Sequence, residues 1–579
     1  MLPYQTKYIE NVKEIAAAYR LFGGSPEDEN AASSIDEHIK KLRSENSSLL
    51  SEGLFPALDD LHNASEDTIK GLEEFAGALM DWQTNLDCGI YILIHDSLLR
   101  MYRFRKDRSN IIKELYMLGM GLYYQNRSIQ GIDSEEVRNR HFRNEMVFTE
   151  AGSYLKFFPE ISDEQTKGYI IRALANIAIC SEDLKRRVAV SSRVLQIVQD
   201  DYYRSLAPSL PWDTFLERTH MQMSANRAVL SKGNLNSNEL ASVLESCEVV
   251  FKPQEGTEEP NIRWLWPYYE MEYTCGFVDL QTTLSRMRKL IDDTSFDQYD
   301  MSGLYGNVQL PIYYGRLMRE NPNIADRHRH ILFLDHAYSK MMKALTSLPA
   351  SEYTDFFFYN ICLVITDYYE TEGVPSYRDI TGELMKKLSG SQYIKAKNCA
   401  AVCKVISEAV SANDPGFFDD INEISSIKNS SDKLRAISDL AYGCGFYHDF
   451  GLIKMNLDRL LQTRELFKNE QKIFELHTIS GHDDLAARTS TSAFADTALG
   501  HHRWYNSAGG YPESYVRNSS SYRQITDICA IASFLTDGAK EEFDAMLGEI
   551  FEQEGKRFSP LVTAYLGDKD LKEAIREIL

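Results

Sequence analysis

The sequence lacks any long uninterrupted run of apolar residues. Its most apolar stretch, residues 356–365, is broken by Asn360 and is far shorter than the roughly 20 apolar residues that a membrane-spanning helix needs. The first seven residues, MLPYQTK, do not lead into the apolar core of a signal peptide. No basic amphipathic segment favours a membrane surface. We therefore expect a cytoplasmic protein with no membrane partner.

Positive charge is scarce relative to negative charge. The 579 residues include 63 Lys and Arg but 85 Asp and Glu, so the formal net charge is −22. Such a field repels phosphate backbones, which argues against a general nucleic-acid-binding protein. The phosphate-cradling motifs GxxxxGKS and GxxxxGKT are absent, which argues against a nucleotide-driven kinase or ATPase. A small anionic substrate could still bind where a metal ion offsets the charge locally.

Cysteine is infrequent. The nine cysteines are an odd number scattered along the chain, which predicts reduced thiols in the core and no disulfide framework. Cys399 and Cys403 are four residues apart and would share one face of a helix. A zinc site there would need two further ligands, so we interpret this pair as core packing.

Alternating strand patterns are few, and the dominant periodicity is helical. Tyr8, Val12 and Ile15 form one apolar stripe at helical spacing, and Ile525 and Ile528 belong to another. Because the helical pattern extends along most of the chain, we predict an all-α fold.

Clusters of Pro, Gly and Ser at 253–260 and 388–391 divide the chain. They predict a helical N-terminal region (1–252), a helical middle region (253–388) and a C-terminal domain (389–579). The N-terminal region is similar to stacked helical-repeat hairpins, but no fixed period is evident, so a tetratricopeptide-like array is one interpretation among others. This region could bind a protein partner.

Histidines are concentrated near the C-terminus. Five of the thirteen fall between residues 448 and 502, as the pair His448-Asp449, then His477 and His482, and then His501-His502. Imidazoles with an adjacent carboxylate are a typical ligand set for a hydrolytic divalent-metal site. By contrast, residues 328 and 330 are histidines that would point to different faces of a helix, which favours surface chemistry there.

Several blocks in this segment resemble, in order and spacing, the motifs of the HD-GYP family, the metal-dependent branch of the HD superfamily best known for hydrolysing cyclic di-GMP. The resemblance covers about residues 395–570, under a third of the chain. The blocks are HDFGL at 448–452, HTISG at 477–481, GHHRWY at 500–505, GGYP at 509–512 and GKRFSPLV at 555–562. The resemblance implies that the helical N-terminal region is followed by an HD-GYP-type helical bundle.

The resemblance also implies a function: a metal-dependent phosphodiesterase acting on a cyclic dinucleotide, such as cyclic di-GMP, or on another small phosphodiester. In the family, two metal ions about 3.5–4 Å apart neutralise the phosphoryl oxygens and activate water. By resemblance Asp449 is the bridging, catalytic carboxylate. Gly510, Tyr511 and Pro512 form a loop that faces substrate or partner. The metal would be iron, manganese or zinc, and its implied ligands are His448, Asp449, His477, His501 and His502.

The chain also departs from the family pattern. Leu452 stands where the family has a lysine that helps to hold substrate phosphate, and no histidine occurs between His336 and His448 to supply the usual upstream ligand. The last ligand, an aspartate, aligns with Ser533, or with Asp527 in an alternative alignment. We therefore expect incomplete metal occupancy.

Two functions remain open on these residues. One is the phosphodiesterase. The other is a catalytically degenerate HD-GYP fold that serves in signalling or as a scaffold and binds a ligand or partner without turnover. Glu470 and Asp496 are candidates for the groups that hold the histidine tautomers, whereas His482 and Asp483 match no family ligand and are interpreted as loop surface.

Overall fold

The computed structural model describes residues 1–22, 29–80, 86–127, 129, 131–231, 235–250, 265–295, 308, 310–347, 368–388, 391–455, 463–538 and 540–579. Within these ranges all continuous secondary structure is helical, apart from two isolated β-bridges. The predicted all-α fold is confirmed. Among the same residues, no helix combines the length and apolarity that crossing a bilayer would require.

The chain forms two compact units. The first comprises Met1–Glu14 and Arg43–Ala325, and the second comprises Ile15–Leu42 and Asp326–Leu579. The predicted region limits adjoin residues 251–264 and 389–390, which lie outside the described residues, as does the apolar stretch 356–365. The division into three regions therefore stays a prediction.

The helices follow one another with short connections. The described α-helices up to residue 325 are α1 (Pro3–Phe22), α2 (Glu29–Leu49), α3 (Phe55–Asp59), α4 (Glu66–Leu79), α5 (Cys88–Arg105), α6 (Arg108–Arg127), α7 (Glu135–Ser153), α8 (Glu164–Cys180), α9 (Leu184–Gln199), α10 (Asp201–Leu206), α11 (Trp212–Ser231), α12 (Ser237–Val250), α13 (Leu265–Thr274), α14 (Leu280–Asp293) and α15 (Leu310–Glu320). Helices that are adjacent in this order pack on one another from α4 to α9.

The second unit continues the series. Its α-helices after residue 325 are α16 (Arg327–Ser347), α17 (Tyr377–Leu388), α18 (Ser391–Asn413), α19 (Asn422–Ser425), α20 (Ser430–Tyr447), α21 (Leu452–Met455), α22 (Lys468–Glu475), α23 (His477–Ala486), α24 (Ala495–Gly500), α25 (Arg523–Asp537), α26 (Phe543–Glu552), α27 (Pro560–Thr563) and α28 (Lys569–Ile578). A π-helical turn (Leu50–Leu54) and 3-10 turns (Leu61–Asn63, Tyr154–Glu160, Ser492–Phe494, Arg517–Ser519, Lys540–Glu542) complete the described helical structure.

Side-chain caps fix where several of these helices begin. Asp87 precedes α5, and its Oδ1 accepts from the Ile90 N–H at 3.0 Å while its Oδ2 accepts from Tyr8 Oη at 2.7 Å. Ser134 and Asp163 cap α7 and α8 in the same manner. These oxygens satisfy N–H groups that the first helical turn leaves free, so the local sequence sets the helix starts.

The core of the second unit is centred on α18, α20 and α25, which pack against one another. Ile406, Ala441 and Ile528 are fully buried there. Gly445 in α20 permits a close helix crossing, because a Cβ at this position would lie 2.7 Å from Ala400 Cα and 2.8 Å from the Cys399 carbonyl oxygen. The backbone of α20 is thereby fixed against α18 just before the His448-Asp449 pair.

Residues 368–388 are bonded to this same core. Arg488 is buried and donates from Nε to the Tyr368 carbonyl at 3.0 Å. The hydroxyl of Tyr447, at the end of α20, donates to the Arg378 carbonyl at 2.8 Å. Because the Arg488 and Tyr447 side chains that make these bonds are buried, the segment contributes to the stability of the C-terminal helices.

Candidate metal centre

The predicted metal-type residues lie at the ends of three helices that meet. His448 and Asp449 follow α20, His477 opens α23, and His501 and His502 follow α24. One ligand atom from each of Asp449, His477, His501 and His502 can be chosen so that all four lie within 4.8 Å of one another. Helix ends far apart in the sequence thus deliver one carboxylate and three imidazoles to a single point.

Two glycines allow the backbone to approach the ligand histidines. A Cβ on Gly451 would lie 2.0 Å from the His477 carbonyl oxygen, and a Cβ on Gly510 would lie 2.0 Å from the His502 carbonyl oxygen. Gly510 also has a φ of +70°, which side chains disfavour. Since both close neighbours are main-chain atoms, no side-chain rotation could make room, and the two glycines help to set the positions of the histidines.

The imidazole rings are oriented by backbone carbonyls. His477 Nδ1 lies 2.6 Å from the Phe474 carbonyl oxygen, and His501 Nδ1 lies 3.1 Å from that of Ala498. A carbonyl oxygen can only accept, so Nδ1 carries the hydrogen in each ring. In the neutral ring this leaves the Nε2 lone pair free, which is the arrangement that metal-ligating histidines use.

The free atoms converge without satisfying one another. Nε2 of His477 and Nε2 of His501 lie 3.2 and 3.3 Å from Asp449 Oδ1. All three atoms are buried, and none has a hydrogen-bond partner among the described residues. Buried polar atoms are ordinarily paired, and lone pairs that face one another repel. A cation at this point would satisfy all three, so these residues fit a divalent metal ion.

The local electrostatics favour the protonation states that ligands need. Burial alone would raise the pKa of the Asp449 carboxyl, but the positive charge that His448 carries when protonated holds that pKa well below its usual range. Burial lowers the pKa of His501. Burial, together with His501 and His477 nearby, lowers the pKa of His502 well below its usual value. An ionised carboxylate beside neutral imidazoles is the form that binds a metal ion.

His448 lies at the other oxygen of the same carboxylate. Its Nε2 is 3.4 Å from Asp449 Oδ2, and its Nδ1 lies 2.7 Å from the Gly445 carbonyl oxygen. Burial disfavours the charged form of His448, but the Asp449 carboxylate raises its pKa above the usual value. The structure therefore brings the five predicted ligands together. Four of them, including Asp449, form one tight group, and His448 lies beside it.

The predicted loop covers the histidines. The Tyr511 ring lies 4.6 Å from the His502 ring and 6.1 Å from the His477 ring, measured between centroids. Arg503 donates from Nη1 to the Gly510 carbonyl at 3.0 Å, while Pro512 is half-buried. Tyr511 thus stands next to the ligand group, where it could contact a molecule bound to the metal.

Helix α25 does not place either predicted aspartate position in the tight group. Asp527 accepts hydrogen bonds from Nε and Nη2 of Arg517, with 2.9 Å between Nε and Oδ1. The Arg517 guanidinium lies 4.5 Å from the centroid of the Tyr505 ring. The alternative alignment through Asp527 therefore puts that carboxylate in an ion pair and outside the histidine group. Ser533 is buried and contributes no carboxylate.

Sequence reasoning passed over Asp537. It lies one helical turn after Ser533 on α25 and interacts electrostatically with both His448 and Asp449. Its side chain is 60% exposed, and its Oδ1 accepts from Lys395 Nζ at 3.5 Å. The spacing of four residues from the aligned Ser533 is the signal that could have found it, because residues four apart share a helix face.

Four other predictions concern residues around the site. Glu470 binds Arg464 with Nη1–Oε2 and Nη2–Oε1 distances of 2.8 and 2.9 Å, and Asp496 accepts from the Ser520 hydroxyl. The proposal that Glu470 and Asp496 orient the histidines is therefore wrong for His477 and His501, since carbonyls do so. The interpretation of His482 and Asp483 as a loop is wrong, because both lie within α23, where His482 bonds to Asp483 at 2.9 Å. Leu452 is 2% exposed.

Other candidate ligands behave differently. The histidines at 328, 330 and 336 belong to no such group in the described part of the chain, whereas Cys399, Cys403 and Cys529 form a second one. The sequence argument found the first two of these cysteines but not the third, because helical spacing cannot tell which distant helix packs against them.

Comparison with known proteins leaves the family open. No protein-family model, no curated protein and no solved structure matches this chain. Membership of the HD-GYP family therefore stays a prediction that rests on the blocks at residues 448–562.

Proposed function

We propose that this chain is a metal-dependent phosphodiesterase of the HD-GYP type that hydrolyses a cyclic dinucleotide such as cyclic di-GMP. One observation carries the proposal: Asp449 Oδ1, His477 Nε2 and His501 Nε2 converge as buried atoms without hydrogen-bond partners. Without a metal ion, an imidazole would have to carry a second proton in order to pair with Asp449. The choice of substrate follows from the sequence resemblance.

Some of these residues would bind the metal ion, and others orient its ligands or border the space next to it. Asp449, His477, His501 and His502 would hold a divalent ion, and imidazole with carboxylate suits iron, zinc or manganese. When bound, such an ion supplies Lewis-acid chemistry and a water of lowered pKa. The backbone carbonyls hold the rings with Nε2 inward, and Tyr511 borders the same space.

A second metal ion has weaker support. His448 reaches Asp449 Oδ2, but Asp527 is committed to Arg517 and Ser533 is neutral. We therefore propose occupancy near one ion per chain, with little or none at the His448 side. Slow turnover is then expected, because two-metal hydrolysis relies on charge at both positions.

The alternative function is binding without turnover, as in a signalling or scaffold protein. The Asp527–Arg517 ion pair favours it, since the only aspartate in the first three turns of α25 is withdrawn from the site. Leu452 favours it as well, because a buried leucine cannot hold substrate phosphate. In this case the chain would bind the dinucleotide or a partner protein and release it unchanged.

The experiment compares two histidines on neighbouring helices in the full-length protein. His501→Ala removes a member of the tight group, whereas His482→Ala removes a half-exposed histidine that bonds only to its neighbour Asp483 among the described residues. Metal content is measured by mass spectrometry and cyclic di-GMP hydrolysis by chromatography. We expect His501→Ala to lose both and His482→Ala to keep both.

Each other outcome has a defined meaning. Wild type that binds metal and cyclic di-GMP but forms no product supports the alternative function. Wild type that binds neither iron, manganese nor zinc above trace levels contradicts the metal centre and with it the enzymatic proposal. Equal loss in the two variants would mean that the tight group has no special role.

A further inference from the structure

Three cysteine thiols meet in the core of the second unit. Cys399 and Cys403 lie one turn apart on α18, and Cys529 lies on α25. Their Sγ atoms all lie within 4.8 Å of one another, and each residue is fully buried. None of the three forms a disulfide. Two rigid, packed helices therefore bring three sulfur atoms to one point.

The donor set selects for a soft metal ion of low coordination number. Sulfur ligands favour thiophilic ions such as copper(I). Among the described residues no fourth His, Cys, Asp or Glu atom belongs to the group, and full burial shields the three sulfurs from bulk water. Zinc is almost always four-coordinate in structural sites, whereas copper(I) accepts three sulfurs.

A neighbouring thiol shows the contrast within the same core. Cys444 on α20 is also fully buried, but its Sγ donates to the Ala493 carbonyl oxygen at 3.8 Å. It stays outside the group of three sulfurs. Cys444 therefore behaves as an ordinary core thiol, and it provides a matched control.

The three thiols share their protons unequally. Burial raises the pKa of Cys399 well above its usual value and that of Cys529 to about 12. Burial would also raise the pKa of Cys403, but hydrogen bonds from Cys399 and Cys529 lower it. An ionised thiol at this point would be disfavoured by burial, and a bound cation would compensate its negative charge.

We propose that Cys399, Cys403 and Cys529 form an all-sulfur site that binds one copper(I) ion. This site is distinct in chemistry from the nitrogen and oxygen ligands around Asp449, and the proposal does not depend on the proposed function. The two sites are nevertheless close in the fold. A Cβ on Gly445 would lie 2.8 Å from the Cys399 carbonyl oxygen, and the Gly445 carbonyl oxygen lies 2.7 Å from His448 Nδ1.

The test uses full-length protein reduced under anaerobic conditions. Copper(I) is added in competition with a chelator that becomes coloured when it binds copper(I). Sulfur-to-copper charge transfer is followed by ultraviolet absorption, and X-ray absorption spectroscopy counts the sulfur ligands. We expect one equivalent held against the chelator by three sulfurs in wild type and in Cys444→Ser. Cys529→Ser should lose that equivalent and its absorption band.

Three results of the copper(I) competition would overturn the proposal. They are wild type that yields all its copper to the chelator, Cys529→Ser that retains the equivalent, and Cys444→Ser that loses it as fully as Cys529→Ser. Circular dichroism of each variant establishes that it is folded, and Cys403→Ala replaces Cys529→Ser if the latter is not. The number of sulfur ligands is measured on the wild type and therefore does not depend on any variant being folded. Binding of zinc by four sulfurs in preference to copper(I) would also overturn the assignment.

Discussion

The chain contains three His-Asp dipeptides. Two of them, His95-Asp96 and His448-Asp449, differ in almost every physical respect. His95-Asp96 lies inside α5, where successive side chains point in different directions. His95 turns inward and contacts Glu114 at 2.6 Å, while Asp96 pairs with Arg100 at the surface. His448 and Asp449 instead follow the last turn of α20, and both side chains reach one cluster.

The difference lies in what surrounds each dipeptide. His95 Nδ1 has a buried carboxylate partner on the next helix, so this ring nitrogen is satisfied within one pair of neighbouring helices. Asp449 has three imidazoles within contact distance whose Nε2 atoms lie 3.2–3.4 Å from its oxygens. A dipeptide at a helix end can thus collect ligands from other helix ends, whereas one in mid-helix divides between core and solvent.

The largest difference is expected when the aspartate of each of these two dipeptides is replaced by alanine. Asp449→Ala removes the only carboxylate of the tight group, so metal content and phosphodiesterase activity should fall below detection, beyond the roughly 10–100-fold typical of an outer partner. Asp96→Ala removes one surface ion pair and should leave both unchanged. Retention of full metal content in Asp449→Ala would refute the assignment.

A second substitution alters the backbone next to the ligand histidine His477. In Gly451→Ala the new Cβ would meet the His477 carbonyl oxygen at 2.0 Å, so we expect a loss of roughly 1–3 kcal/mol in unfolding free energy. Metal affinity should fall by roughly 10–100-fold as His477 is displaced. Gly548→Ala on α26 is the control, since nothing lies within 4 Å of its new Cβ. Isothermal titration with manganese and chemical denaturation measure the two effects, and equal behaviour of both variants would contradict the argument.

The third change tests the mid-helix dipeptide. Glu114→Gln keeps the shape of the side chain but weakens the buried contact with His95, so the first unit should lose about 1–3 kcal/mol of unfolding free energy while metal binding is unaffected. Arg100→Ala disrupts only an exposed pair and should change stability by at most about 0.5 kcal/mol. Urea denaturation followed by circular dichroism measures both. A fall in metal content for Glu114→Gln would mean that the two regions are energetically coupled.

The smallest expected effect concerns the incomplete side of the His448-Asp449 site. Ser533→Asp adds a carboxylate where the aligned family ligand would lie, so metal occupancy and any hydrolysis should rise modestly. If Asp537 supplies that charge already, Asp537→Asn should lower occupancy while Ser533→Asp has little effect. Metal analysis of both variants shows which of the two positions supplies a ligand. If metal content changes in neither variant, these positions hold no second metal ion.

The sequence predicted the helices well, because helical periodicity is a local property. Tyr8, Val12 and Ile15, predicted as one stripe, are all at most 2% exposed, and so are Ile525 and Ile528. The spacing of the blocks also predicted that the histidines and Asp449 form one ligand group, and the structure places them together.

What the sequence could not provide were contacts between elements distant along the chain. The rings are oriented by carbonyls of their own helical turns, a role first assigned to Glu470 and Asp496, which bind Arg464 and Ser520 instead. Cys529 joins Cys399 only because α25 packs on α18. Helical spacing tells which face a residue occupies but not which helix that face meets.

The burial of Leu452 has a thermodynamic consequence. The block at 448–452 presents no fixed cation to an anionic ligand, and the chain as a whole carries a net charge of −22. The attraction for a dinucleotide phosphate would then come largely from the bound metal ion. Because linkage is reciprocal, a ligand whose affinity rises when metal is present must raise the affinity for metal by the same factor. The level of the dinucleotide would thus regulate how fully the site is metallated, and a partly empty site in purified protein would fill when substrate is supplied.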